Sequence, residues 1–192
     1  MAQDHGGWQG TPWRIAGWSA AAFALLLPLL AMQVTDEVNW GVEDFVTFGL
    51  MLAGAGGACE LAVRTSGSIA YRAGAALAVA AAFLLVWATL AVGIIGTEGN
   101  PANLMYAGVL AIAITGAFTA ALRAEGMARA MLATACAQAL VAAIAAGFGM
   151  GLPESPPLEI LGANAACAAM CLARAWLFRL AARGRMPEGT AR

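Results

Sequence analysis

The chain contains no lysine and a single histidine, His5. Without lysine there is no Ser-Lys dyad, and one histidine beside the N-terminus cannot supply bis-histidine haem ligation or a zinc-peptidase centre. No Gly-x-Ser-x-Gly elbow occurs, and no pair of aspartates stands inside an apolar run. The four cysteines, Cys59, Cys136, Cys167 and Cys171, form no Cys-x-x-Cys. All four fall within apolar runs, away from the loops where an oxidising compartment would pair them. Cys167 and Cys171 share a helix face at i, i+4 and have the softness a thiophilic metal prefers, but "ANAACAAMCLA" reads as small-residue packing. No enzymatic activity, cofactor or metal is therefore expected.

Charge is scarce as well. Only 11% of residues are charged, against about 25% in ordinary soluble domains, whereas 61% are hydrophobic and the mean hydropathy is +0.77. Crossing a hydrocarbon core of about 30 Å takes about 20 apolar residues. Runs of that kind extend near Trp13 to Val34, Asp44 to Val63, Ile69 to Ile95, Pro101 to Leu122, Met127 to Met150 and Leu158 to Leu180. The fold class expected is all-α, an integral membrane bundle of six transmembrane helices.

The distribution of charge orients that bundle. All ten cations are arginine: Arg14 before the first run, Arg64 and Arg72 around the second loop, Arg123 and Arg129 around the fourth, and Arg174, Arg179, Arg183, Arg185 and Arg192 towards the end. Loops one, three and five hold only acids: Asp36, Glu37, Glu43 and Asp44, then Glu98, then Glu154 and Glu159. By the positive-inside rule both termini are cytoplasmic and the acidic loops face outward. The arginines from Arg174 through Arg185, beside Trp176 and Phe178, are expected to lie against anionic inner-leaflet lipid, at about 1 kcal/mol per charge, rather than against nucleic acid.

No internal boundary is visible between short connections, so residues 13–181 read as one transmembrane domain with spans at about 13–34, 44–63, 69–95, 101–122, 127–150 and 158–180. A mobile cytoplasmic tail is expected over 1–12 and a basic cytoplasmic tail over 182–192. "RIAGWSAAAFALLLPLLAMQ" could serve as a cleaved signal. Its length exceeds a signal core and no convincing small-x-small site follows, which favours a retained anchor kinked at Pro28.

The stretch "EGNPANLMY" contains Asn-Pro-Ala, the tripeptide that water channels use twice, at two half-helices meeting mid-membrane. Here it occurs once and a full-length apolar run follows. The spacing predicts instead a helix start, with Asn100 as N-cap, Pro101 at the first helical position and Asn103 reaching back in the manner of a capping box.

Three groups of polar residues are candidates for function. "TDEVNWGVED" places Asp36, Glu37, Asn39, Glu43 and Asp44 together; oxygen ligands suit Ca²⁺ or Mg²⁺, but no EF-hand spacing occurs, and solvated charges at a helix start are the preferred reading of the cluster. Asn103 and Tyr106, three apart on one helix face, complete a candidate outer polar cluster that a ligand could enter. Glu60 is the one carboxylate embedded in an apolar run, with Arg64 a turn later: an i, i+4 ion pair near the cytoplasmic end, or a proton- or substrate-coupling group. Gln138, Asn164, Thr89, Thr115, Thr119 and Thr134 are expected to bond between helices, and Gly49, Ala53, Gly57, Gly147 and Gly151 to allow close helix approach.

"MQVTDEVNW", "VEDFVTFG", "AYRAGAALAVAAAFLLVWATLAVGIIGTEGNPANLMY" and "EGMARAMLATACAQALV" resemble a group of small bacterial multi-pass inner-membrane proteins of no established activity. The resemblance implies a bacterial inner (cytoplasmic) membrane location. Two functions fit the residues: an accessory or scaffold subunit working with a membrane-protein partner or as a homo-oligomer, and a small-solute or ion carrier that Glu60 could couple to protons. The first is preferred because no charged group stands near the middle of a run, where coupled transporters place their sites. The charge pattern makes one direct prediction: alkaline phosphatase, which needs export to form its disulfides, is active when fused after Gly99 or Ser155 and inactive after Gly67 or Leu122, read by colony colour and enzyme assay.

Overall fold

The structure is a computed structural model, and it describes residues 11–184. His5 and most of the two expected tails, 1–12 and 182–192, lie outside those residues. Among the described residues the elements are α1 (Thr11–Ala31), α2 (Val42–Thr65), α3 (Ile69–Ala91), a 3₁₀ turn (Pro101–Leu104) leading into α4 (Met105–Thr119), α5 (Ala124–Gly147) and α6 (Pro157–Arg183), with no strand. Six helices, counting Pro101–Thr119 as one, are long and apolar enough to cross a membrane. Alanine and leucine supply the helical propensity, and the connections other than residues 120–123 carry Gly, Pro, Asn or Ser, which end helices.

Two compact units divide the backbone, residues 1–60 and 61–192, with α2 running from the first into the second. In the first unit α1 and α2 form an antiparallel hairpin. Leu25 lies over Gly49, and a Cβ at Gly56 would stand 3.1 Å from the ring of Trp18, so the absence of a side chain lets α1 approach α2 there. The start of α2 is fixed locally: the Asp44 carboxylate accepts the N–H of Gly41 at 2.9 Å, and Trp40 packs edge-on against Phe45 and Phe48. This is half a capping box with a hydrophobic staple, and it accounts for the acid and the aromatic in "NWGVED" without a ligand.

In the second unit α5 is the central helix. It packs along α6 on one side and α4 on the other, and α3 closes against α6. One core cluster, including Tyr71, Met127, Met131 and Phe178, fills the end near the α4–α5 turn; the Tyr71 and Phe178 rings meet edge-on at 5.2 Å. A second, built from Ile95, Tyr106, Val109, Val141, Ala145 and Ile160, fills the opposite end. Ile95 belongs to a loop, not to a helix. Hydropathy extends the third span to residue 95, but α3 stops at Ala91 because Gly93 and Gly96 take φ of +80° and +69°, which no helix admits, and the apolar Ile94 and Ile95 turn inward instead.

Threonine behaves differently from expectation. Thr89, Thr119 and Thr134 each donate to the carbonyl four residues back in their own helix, satisfying the hydroxyl without a neighbour. Between α2 and α3, Arg72 donates to the carbonyls of Ser66 and Val63, and Ser68 caps α3 by accepting the N–H of Tyr71. Arg72 thus answers orphan carbonyls at the end of α2.

Helices α4 and α5 both end in Schellman turns. In α5 the N–H of Met150 bonds the Ala145 carbonyl and that of Gly149 the Ala146 carbonyl, with Gly149 at φ +60°. In α4 the same two bonds run from Leu122 to Ala117 and from Ala121 to Phe118, but the left-handed position is occupied by Ala121 at φ +46°, followed by Leu122 at +57°. Tyr71 braces this turn by donating its hydroxyl to the Leu122 carbonyl at 2.8 Å. Since a left-handed non-glycine residue costs about 1–2 kcal/mol, Ala121→Gly is expected to raise stability by about 1 kcal/mol, checked by thermal unfolding in detergent with Gly149→Ala as the opposite control.

Candidate functional site

The residues singled out from the sequence fall into different environments. Asp36, Glu37, Asn39, Glu43 and Asp44 are all exposed; the Glu37 N–H bonds the Thr35 hydroxyl and Asp44 is engaged in the start of α2. Among the described residues no three His, Cys, Asp or Glu side chains come together as a metal-binding group. These five residues belong to the first unit and Asn103 and Tyr106 to the second.

Glu60 sits five residues before the end of α2, and two residues of α1 bond it. Arg14 donates to both carboxylate oxygens, Nε to Oε1 at 3.1 Å and Nη2 to Oε2 at 3.2 Å, and the Trp18 indole N–H donates to Oε1 at 2.9 Å. The fork matches a guanidinium to a carboxylate bidentately. Arg64 is exposed in the last turn of α2. The pairing of Glu60 with Arg14, 46 residues earlier, was not visible in a spacing argument confined to one helix. With the Arg14 side chain 58% exposed, the pair orients α1 on α2 more than it stabilises it.

Asn103 is buried and acts as a staple. Its Oδ1 accepts the N–H groups of Ile94 and Ile95 at 3.1 and 2.9 Å, and its Nδ2 donates to the carbonyls of Ile95 and Thr97 at 3.2 and 2.8 Å. The side chain therefore reaches back across the 92–100 loop, farther than the capping box to Asn100 that its spacing suggests. Asn100 caps as expected, accepting the Ala102 N–H at 2.9 Å with Pro101 at the first position. Its Nδ2 also donates to the Met150 carbonyl, and the Gly96 N–H donates to Ser155 Oγ, so the 92–100 and 148–156 loops are sewn together.

Beneath this sewn end lies the densest internal polar group. Asn164 on α6 is the hub: Oδ1 accepts Gln138 Nε2 from α5 at 2.8 Å, and Nδ2 donates to the Tyr106 hydroxyl on α4 at 2.9 Å and to the Ile160 carbonyl at 2.8 Å. All three side chains are at most 2% exposed. Tyr106 thus faces the helix seam and is closed to a ligand arriving through the loops. The expected bonding of Gln138 and Asn164 between helices is present, and Tyr106 completes it. No buried side-chain nitrogen or oxygen among the described residues lacks a partner.

Below Asn164 the buried face of α6 continues through Cys167 and Cys171 to Arg174 at helical spacing. Cys167 is partly exposed and Cys171 buried. Arg174 is 6% exposed, which differs from the lipid-facing position that its membership of the terminal arginine group suggested. Helical phase explains the difference: Arg174 shares the inward face with Cys171 and Phe178, whereas Arg179 and Arg183 point outward.

Comparison with protein-family models, with curated protein sequences and with solved structures found no match to this chain.

The staple makes the clearest mutational prediction. Asn103→Ala leaves the Ile94 and Ile95 N–H groups without acceptors beside a buried core, and the expected loss is about 2–4 kcal/mol. Unfolding in detergent measures it, and the Ile95 amide, protected in the parent, is expected to exchange hydrogen faster by at least tenfold.

Proposed function

We propose that this chain is a non-catalytic accessory or scaffold subunit of a bacterial inner membrane, held with both termini in the cytoplasm. The observation that carries this reading is the closure of the second unit beneath its joined 92–100 and 148–156 loops: Tyr106, Gln138 and Asn164 satisfy one another, Asn103 is consumed by backbone, and the connecting loops are tied to each other. A carrier's substrate path needs polar groups with bonding capacity to spare. The alternating arginine and acid loops support the orientation, and the arginine-rich, alanine-rich composition supports the bacterial origin.

A surface open to a partner helix supports the same reading. Leu50, Gly54 and Gly57 follow one another at helical spacing on α2, all exposed, and a Cβ at Gly54 or Gly57 would meet nothing within 4 Å. Gly49, by contrast, is occupied by Leu25. Small residues on such a face permit the backbone approach that membrane helices use to associate.

The carrier reading has one observation in its favour, the polar line on α6 that ends in a buried arginine. Gentle native extraction and mass determination distinguish the two. The expected result is a partner or second copy in fixed ratio, lost on Gly57→Leu without a fall in the thermal stability of the bundle. A chain that runs as a lone monomer and gives liposome flux that Glu60→Gln abolishes would replace the scaffold reading with the carrier.

A further inference from the structure

Arg174 carries a charge that the described residues do not neutralise. Its Nε donates to the Met170 carbonyl at 2.9 Å and its Nη2 to Cys171 Sγ, both on its own helix, and among the described residues no carboxylate lies within ion-pair distance of it. An arginine cannot relieve burial by losing its proton, because its pKa stays above about 12. An uncompensated arginine inside a membrane helix is costly, up to about 2.5–3.5 kcal/mol on insertion scales at the helix centre and less towards its ends. Some compensating group is therefore called for.

Snorkelling towards the end of α6 does not provide it. Arg174 stands about 14 Å short of the helix end at Arg183, at 1.5 Å per residue. Both of its bonds draw the guanidinium back towards Met170 and Cys171, away from that end. The antiparallel pairing of Gln138 with Asn164 sets the register that brings Arg174 level with Ala128 of α5, and the meeting of Tyr71 with Phe178 brings it level with Ala75 of α3. The neighbours at this level are thus alanines, with small side chains and no charge.

The chemistry left over is specific. A guanidinium has five N–H donors in a planar fork. Two are spent within α6, and the three that remain include the end-on pair, one on each terminal nitrogen, that matches two oxygens of an oxyanion. We propose that Arg174 is the anchor of an oxyanion site about one turn inside the Ala124 end of α5, between α6 and its neighbours, taking the phosphate group of a phospholipid or a free phosphate ion. The site is independent of whether the chain serves as scaffold or carrier.

The test uses the full chain, purified in neutral detergent and phosphate-free buffer and washed to strip loosely held lipid. Phosphorus NMR and native mass spectrometry count retained phospholipid, and equilibrium dialysis of the delipidated chain counts inorganic phosphate. About one phospholipid per chain, falling at least tenfold in Arg174→Gln and unchanged in the exposed control Arg179→Gln, is the expected result and makes lipid the source. Saturable phosphate uptake without retained lipid, lost in the same variant, supports the site with a soluble anion. Arg174→Lys, which keeps the charge and loses the fork, is expected to hold the ligand several-fold more weakly, and it serves where Arg174→Gln does not fold. Wild-type chain that binds neither probe overturns the proposal, as does equal binding in Arg174→Lys or equal loss in Arg179→Gln.

Discussion

A hydrogen-bond donor placed among apolar helices has no water to fall back on, and the second unit is organised around that constraint. Its buried amides and hydroxyls form a closed set. Asn164 ties α6 to α5 and α4 at once, and each of its bonds satisfies a group that would otherwise stand bare. Asn103 does the same for a stretch of backbone that has left helical geometry. Without that single amide, the 92–100 loop could not carry Ile95 into the core, because the loop's own N–H and C=O groups would go with it unpaired.

The same constraint separates the polar residues by what they can be doing. Threonine resolves its hydroxyl within its own helix and so imposes nothing on neighbours. Glu60 resolves its charge at the α1–α2 seam through Arg14 and Trp18, where partial exposure keeps the energy small and the fork fixes the geometry. Arg174 is the exception, a full charge inside a helix pair with only neutral acceptors.

Much of this architecture is legible in the sequence because length and apolarity act locally. The six runs, the Asn100–Pro101 helix start and the interhelical use of Gln138 and Asn164 need no knowledge of tertiary contacts. The rest depends on relations that spacing along one helix does not encode. Glu60 meets Arg14 across a hairpin, and Asn103 serves a loop rather than a cap. Arg174 groups with the terminal arginines by its neighbours in sequence, although its helical phase, shared with Phe178 and Cys171, sets it apart from Arg179 and Arg183. That phase was the available signal. For the loop ending at Asn100, hydropathy misled because Ile94 and Ile95 are as apolar in a loop as in a helix, and only the two glycines marked the change.

The hub position of Asn164 also bears on how the chain is made. Synthesis delivers α4 and α5 before α6, so for a time the Tyr106 hydroxyl and the Gln138 amide exist without the residue that joins them. A nascent chain at that stage holds polar groups whose burial without a partner is costly. The arrival of α6 therefore closes this part of the network: Asn164 meets the Tyr106 hydroxyl and the Gln138 amide together.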